Sequence, residues 1–211
     1  MDINKVIKNI QNNNMEAYYA ANKAEALKIT ESLLNKGDTI SCGGSVTLAE
    51  CGITDLMRSG DYNFLDRAVP GLTAAQIDEI YAKTFMADAY LCSANALTEK
   101  GELVNVDGRA NRVSAFIYGP KSVICVVGVN KIVKCIKEGF RRIKTTAAPL
   151  NAKRLNCNTP CAKTGVCIAL DGDIADGCMS EDRICASYVV CGRQRIKNRI
   201  KVILVDEKLG Y

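Results

Sequence analysis

Apolar positions recur along this chain with two periods, one near 3.6 and one near 2 residues, and their alternation predicts an α/β fold. An amphipathic helix runs through about Gln11 and leads to a strand over Met15 to Tyr19. Over Lys23 to Leu34, the residues Ala26, Ile29 and Leu33 share one face, the stripe that a helix turns toward a core. Gly37 and Asp38 punctuate it, Thr39 to Cys42 reads as a short strand, and GGSVTLAE turns into a helix. After Gly52 come a small helical piece, ITDLMRSG, an extended segment around Tyr62 to Leu65, and the turn pair Pro70 and Gly71. Thr73 and Gln76 form a capping-box pattern that starts a helix with Ile77, Ile80, Tyr81, Thr84 and Phe85 inward. Ala89 to Ser93 is the next strand.

The stretch Gly101 to Lys131 is the most informative. Glu102 to Val106 and Ser122 to Val129 are strand-like, and the second is almost wholly apolar, as a strand covered on both faces of a parallel sheet must be. Between them lie Asn105, Asp107, Gly108, Arg109, Asn111 and Arg112, then Gly119 and Pro120, a polar loop that no core requires. Asn130 and Lys131 follow the second strand and open a helical pattern to about Lys144, at the carboxyl end of a strand, where open α/β sheets place their ligands. That helix carries Ile132, Val133, Ile136, Phe140 and Ile143 on one side, with Lys134, Lys137, Arg141 and Arg142 mostly on the other. Periodicity then disappears from Pro149 to Cys185, and Arg199 to Val205 is a final strand. Strands separated by helices of this length imply right-handed crossovers. The expected architecture is a three-layer α/β/α domain spanning residues 1–211, with a mostly parallel sheet and a cysteine-rich excursion over about 149–191.

Composition narrows the chemistry. The chain has eleven cysteines and no histidine, which excludes Ser-His-Asp and Cys-His catalysis and every metal site that needs imidazole. An odd cysteine count leaves at least one thiol outside any intrachain disulfide scheme. The start, MDINKVIKNIQNNN, lacks the apolar centre of a signal peptide, and the longest apolar runs are too short to span a bilayer, so a cytoplasmic protein is expected. Net charge is only +5, yet Lys131 to Lys163 holds nine Lys or Arg against one acid, Glu138. Aromatic or motif support for nucleic-acid binding is missing there, so the run reads as a solvated helix face or as a field that attracts a small anion.

Three sites follow. In Cys42-Gly43-Gly44-Ser45-Val46-Thr47, two glycines permit close backbone approach, and the Ser45 and Thr47 hydroxyls with free amides suit a phosphate or carboxylate. The lysine and spacing of a Walker loop are absent, and a tight turn capped by Ser45 is the plainer alternative; Glu50, a turn later, could face the pocket as a base or simply lie at the surface. In Cys92-Ser93-Ala94-Asn95-Ala96, small residues leave space for a ligand and Asn95 can orient it. Glu99 is the leading carboxylate for acid/base work, though Glu102 and Asp107 lie close by and nothing in the sequence separates them. The third site is Cys157, Cys161, Cys167, Cys178 and Cys185, spaced within a loop as soft anionic ligands to zinc or an iron–sulfur cluster would be, but without paired Cys-x2-Cys knuckles or ferredoxin spacing. Cys42, Cys51, Cys92, Cys125 and Cys135 sit in regular patterns and read as small core residues.

The series Val104-Asn105, Asp107-Gly108, Asn111-Arg112, Gly119-Pro120, Val126-Val127-Gly128 and Asn130-Lys131 resembles the LUD domain of lactate-utilisation proteins. The likeness extends to Ser41–Ile53, Ala87–Gly101, the cysteine segment and the closing RIKVILVDEKLGY. Related sequences have a shorter gap where Cys167 and Cys178 stand, so the insertion LDGDIADG speaks against that pair as joint ligands. The resemblance implies a fold shared with CoA transferases and sugar-phosphate isomerases, and a role in lactate or organic-acid oxidation beside iron–sulfur partner subunits. On the first expectation Ser45 and Thr47 hold a small anionic metabolite, Asn95, Asn105 and Asn130 orient it, and Arg112 or Lys131 balances its charge, with Glu99, Asp107 and Lys131 as catalytic candidates. On the second, the five loop cysteines make the chain a metal-binding redox accessory subunit; on the third, the basic helix docks it as a structural partner.

Overall fold

The computed structural model describes residues 2–211. In chain order it places α1 (Ile3–Asn12), β1 (Glu16–Ala20), α2 (Lys23–Ser32), β2 (Thr39–Cys42), α3 (Val46–Glu50), α4 (Ile53–Met57) and β3 (Asn63–Phe64). Then come α5 (Ala74–Thr84), β4 (Ala89–Cys92), β5 (Ala96–Thr98), β6 (Leu103–Asp107), α6 (Asn111–Ile117), β7 (Ser122–Gly128) and β8 (Ile132–Val133). The chain closes with α7 (Ile136–Arg142), α8 (Ala148–Arg154), α9 (Pro160–Thr164), β9 (Ser187–Cys191) and β10 (Ile200–Val205). Helix starts follow local chemistry: Asn22 Oδ1 accepts from the Glu25 amide (3.0 Å), and Thr73 and Gln76 close the expected capping box.

Six strands form a parallel sheet in the order β1-β10-β7-β4-β2-β3. The central strands alternate their side chains between two cores. Cys92, Val123, Cys125, Val127, Val202 and Leu204 face Val6 and Ile10 of α1 and Phe116 of α6. Leu91, Ile124, Val126, Ile203 and Val205 face Ala26 of α2, Leu48 of α3 and Met57 of α4. The mostly parallel, layered α/β architecture is thus the one expected. No helix among the described residues is long and apolar enough to cross a membrane.

Four local expectations change. First, Glu102 to Val106 does not join the main sheet: β6 belongs to a second sheet, ordered β8-β5-β6-β9, that packs Leu97 and Leu103 into the first core. Its other face, with Ala96, Val104 and Val106, packs on Phe140, Ile143 and Ala148. Second, the polar loop contains a helix, α6, because Asp107 Oδ2 accepts from the Val113 amide (2.9 Å) and Ala110 adopts a left-handed φ of 60° just before it. Third, Lys131 does not open a helix. It ends a single 3-10 turn, after which β-branched Ile132 and Val133 pair with Leu97 and Thr98. Fourth, the aperiodic segment contains α8, entered from α7 through a π-helical turn over Ile143–Ala147, and the short α9.

Gly101 closes the β5–β6 hairpin at φ 81°, and a Cβ there would meet the Ile10 amide nitrogen at 2.6 Å. Gly37, at φ 88°, has nothing within 4 Å. Gly37→Ala is therefore expected to cost about 1 kcal/mol from backbone conformation alone, and Gly101→Ala at least about 2 kcal/mol more because backbone must move. Denaturant unfolding of both variants checks this; equal losses would show that α1 is not packed against the hairpin.

Candidate functional site

The carboxyl ends of β2, β4 and β7 open into one cavity of about 330 Å³, walled by the segments after β2, β4 and β6, by α8, and by Tyr211 near the chain end. The arrangement begins at the glycine turn. Gly43 is buried, and a Cβ there would stand 3.0 Å from both Arg112 Cδ and Tyr90 Oη, so its hydrogen lets the Arg112 stem pass. Gly44 lines the cavity, where a Cβ would lie 3.1 Å from Arg67 Nη2 and 3.9 Å from Arg154 Nη2. Two guanidinium groups therefore converge on bare backbone. Ser45 caps α3, its Oγ accepting from the Leu48 amide (3.3 Å), and also lines the cavity.

Lys131 supplies a third cation. Its side chain is buried, and Nζ donates to Thr47 Oγ1 (2.8 Å) and Ser93 Oγ (3.0 Å). Burial, reinforced by the Arg142 and Arg112 guanidiniums, pushes the ammonium down from 10.5 to about 8. Arg67 is braced by Tyr81, to whose Oη its Nη1 donates (3.1 Å) and over whose ring its guanidinium lies at 5.6 Å. Arg154 is braced by Tyr211 Oη (2.7 Å) and Asn151 Oδ1 (3.1 Å). Among the described residues, none of Arg67, Arg154 and Lys131 has a carboxylate at salt-bridge distance. Three positive charges, none of them ion-paired among the described residues, converge on one cavity.

Several residues expected to touch a ligand are committed elsewhere. Arg112 donates to Asp107 Oδ1 (2.9 Å), the Ser93 carbonyl (3.1 Å), Asn105 Oδ1 (2.7 Å), Asn95 Oδ1 (2.9 Å) and the Val106 carbonyl (2.8 Å). That exhausts its five N–H groups, so Arg112 organises the wall and does not present a free charge. Asp107 holds Arg112 through Oδ1 and the Val113 amide through Oδ2, so both carboxylate oxygens are engaged in the wall. Asn105 is fully buried and outside the lining; its Nδ2 has no partner among the described residues. Asn95 lines the cavity, yet its Oδ1 accepts from both Arg112 and the Val106 amide (2.9 Å).

Glu99 lies outside the cavity, its carbonyl accepting from Asn9 Nδ2 (2.8 Å) beside α1. Asn130 instead clamps the chain end, accepting from the Leu209 amide (3.0 Å) and donating to the Gly210 carbonyl (3.2 Å). Glu50 does the same through the Gly210 amide (2.7 Å). Arg142 is not on a solvated face: it is half-buried and donates to the Asn95 and Asn130 carbonyls. Of the expected residues, Gly44, Ser45, Thr47, Asn95, Asp107, Arg112 and Lys131 share the cavity, while Gly43 supports it from behind. Sequence reasoning did not single out Arg67, Tyr81, Asn151, Arg154 or Tyr211 as ligand contacts, although Arg154 lies in the basic run and Tyr211 in the closing segment.

The loop cysteines divide. Cys161, Cys167, Cys178 and Cys185 line a second, smaller cavity, and Cys157 does not. As the side chains stand, no group of three Cys, His, Asp or Glu among the described residues converges closely enough to hold a metal ion.

The sequence profile of the LUD domain matches residues 3–205. Among solved structures, a DUF162 family protein from Deinococcus radiodurans is similar with a TM-score of 0.48 and 18% identity, over 96% of this chain and 95% of that one. The eIF2B beta protein of Chaetomium thermophilum gives a TM-score of 0.36 at 15% identity, over 53% of this chain and 43% of its own. The eIF2B delta protein of the same organism gives 0.35 at 20% identity, over 53% and 48%. No curated protein matches the chain in sequence.

Arg112→Lys keeps the charge and loses the planar fork, and three ammonium donors in place of five give up at least two of the hydrogen bonds to Ser93, Asn95, Asn105, Val106 and Asp107. The expected loss is about 3 kcal/mol of unfolding free energy, read from urea denaturation. Wild-type stability in this variant would show that the wall stands without the guanidinium.

Proposed function

This chain belongs to the LUD domain family, and we propose that it binds a small, multiply anionic metabolite, bearing phosphate or carboxylate groups, in the cavity between Gly44 and Lys131. Family membership supports a role in organic-acid utilisation in the broad sense. The observation that carries the finer reading is the convergence of Arg67, Arg154 and Lys131 with no carboxylate to neutralise them. Cations of like sign held together by the fold repel one another, and a bound anion relieves that cost while gaining charge-assisted hydrogen bonds. Arg67 and Arg154 are the outer grip, steadied by Tyr81 and Tyr211, and Ser45 offers a hydroxyl between them and α3. Lys131 lies deeper, and its ammonium, fixed by Thr47 and Ser93, is the proton donor or charge partner for the inner end of the ligand. A cavity of about 330 Å³ suits an acid or sugar phosphate; only part of a larger CoA ester would lie inside.

Thermal-shift and calorimetric titration with inorganic phosphate, lactate, sugar phosphates and CoA esters tests this. Arg67→Ala and Arg154→Ala are each expected to weaken the best of these anions roughly tenfold, the loss of one charge-assisted hydrogen bond of about 1.5 kcal/mol. If no member of the set stabilises the protein at millimolar concentration, the reading fails.

Affinity should also depend on pH in one direction. Lys131 carries its charge below about 8 and loses it above, so anion affinity should fall as pH rises through that value. Because the anion favours the protonated form, binding near that pH takes up a proton. In Lys131→Met this dependence should vanish while the contribution of Arg67 persists; an unaltered pH profile would remove Lys131 from the site.

A further inference from the structure

The second cavity brings together residues that are far apart in the aperiodic segment. Cys161 from α9, Cys167, Cys178 and Cys185 line a space of about 20 Å³, closed by Ile143, Ile168 and Tyr188. We propose that these four thiols form a tetrahedral site for one soft divalent metal ion, zinc being the probe of choice, and that Cys157 is not a ligand.

Three observations support it. The first is selection: the fold sets four of the five loop cysteines around one small cavity and leaves the fifth out. Four thiolates without histidine is a complete structural zinc set, and the chain has no histidine to offer instead. The second is size. A space of about 20 Å³ between the four thiols is of the size that holds a single ion.

The third is charge. A divalent ion held by four thiolates carries a net charge of −2, and two cations are anchored beside it. Lys144 is buried, lines the cavity, and donates to the Ala169 and Asp173 carbonyls (both 2.7 Å). Arg183 donates to the Cys185 carbonyl (3.0 Å), the Cys178 carbonyl (3.3 Å) and Tyr188 Oη (3.1 Å). Neither has a carboxylate partner at salt-bridge distance among the described residues, although Asp176 also lines the cavity, with Oδ2 turned to the Asp173 amide (2.9 Å). The two cations hold the backbone around the ligand cysteines and place positive charge beside the site, where it offsets that of the thiolates.

The thiols surround the space without yet converging, since Cys161 Sγ rests 3.4 Å from Thr159 Oγ1. Binding therefore draws the four sulfurs inward and releases their protons as four metal–sulfur bonds form.

The test uses the full chain purified under reducing, oxygen-free conditions, stripped with chelator and then exposed to zinc alone. Metal is counted per chain after competition with a chromophoric chelator, and alkylation of every cysteine is followed by mass spectrometry with and without zinc. The expected result is one zinc per chain and at least tenfold slower alkylation of Cys161, Cys167, Cys178 and Cys185, with Cys157 unchanged. Cys161→Ser with Cys185→Ser should abolish retention, and the wild-type alkylation map decides the matter should that variant fail to fold. Absence of retained zinc, or retained zinc with those four thiols as reactive as before, would overturn the proposal. So would iron and acid-labile sulfide with visible absorption in the protein as isolated.

Discussion

The geometry of the whole site depends on the Arg112 guanidinium. It lies where two sheets meet, and its donors reach the end of β4 at Ser93, the Asn95 loop, and Asn105, Val106 and Asp107 on β6. In a partly buried setting each of these acceptors would be costly to leave alone, so one rigid, planar group with five donors fixes the spacing of all of them. The pair with Asp107 is itself anchored, because the other carboxylate oxygen holds the Val113 amide at the start of α6. Sheet, loop and helix are thereby tied to a single group whose charge is already balanced. The unpartnered Asn105 Nδ2 is the visible cost of packing so many polar atoms together.

Neutralising that one cation is what distinguishes the others. Arg67, Arg154 and Lys131 are held by hydroxyls, an amide oxygen and an aromatic ring, which fix position without cancelling charge. The chain end completes the enclosure. Gly128 allows it to pass, since a Cβ there would stand 2.7 Å from the Glu207 carbonyl, and Asn130 and Glu50 then clamp Leu209 and Gly210. Tyr211 is thus delivered to Arg154. Four segments distant in sequence share one pocket, and each is positioned by contacts that do not consume the cations.

The strand ends and the glycine turn were legible in the sequence because periodicity and glycine placement are local signals, and they led directly to Ser45, Thr47 and Lys131. Asn95, Asn105, Asp107 and Arg112 were recognisable as polar residues that no core requires, but a sequence shows polarity and not its satisfaction. In the fold these four bond mainly to one another, and Asn105 Nδ2 is the one buried polar side-chain atom left without a partner among the described residues. Arg67 left no such trace, since it follows the short β3, and Arg154 showed only as one charge in the basic run, at the end of α8 within the aperiodic stretch. They meet over Gly44, whose missing side chain makes room for Arg67, with Arg154 at ordinary contact distance beside it. The second sheet escaped notice for a related reason: β8 has two residues and β5 three, too few for a period to show.

The two cavities share a wall. Ile184 lines the anion pocket and its neighbour Cys185 lines the thiol chamber, so consecutive side chains point to opposite sides of one strip of backbone. That strip is pressed against the loop before α6, where a Cβ on Gly108 would lie 3.1 Å from Ile184 Cα. Little regular structure supports it: between α9 and β9 the backbone depends on turns and on the carbonyl contacts of Lys144 and Arg183. Ordering such a segment costs roughly 1 to 2 kcal/mol per residue in conformational entropy, more than scattered hydrogen bonds return. A metal drawn in by four thiolates would supply the difference, and it would do so at the one place where stiffening the loop also fixes the Ile184 side of the pocket. Its part would be structural, setting the shape that Arg67, Arg154 and Lys131 present to an anion.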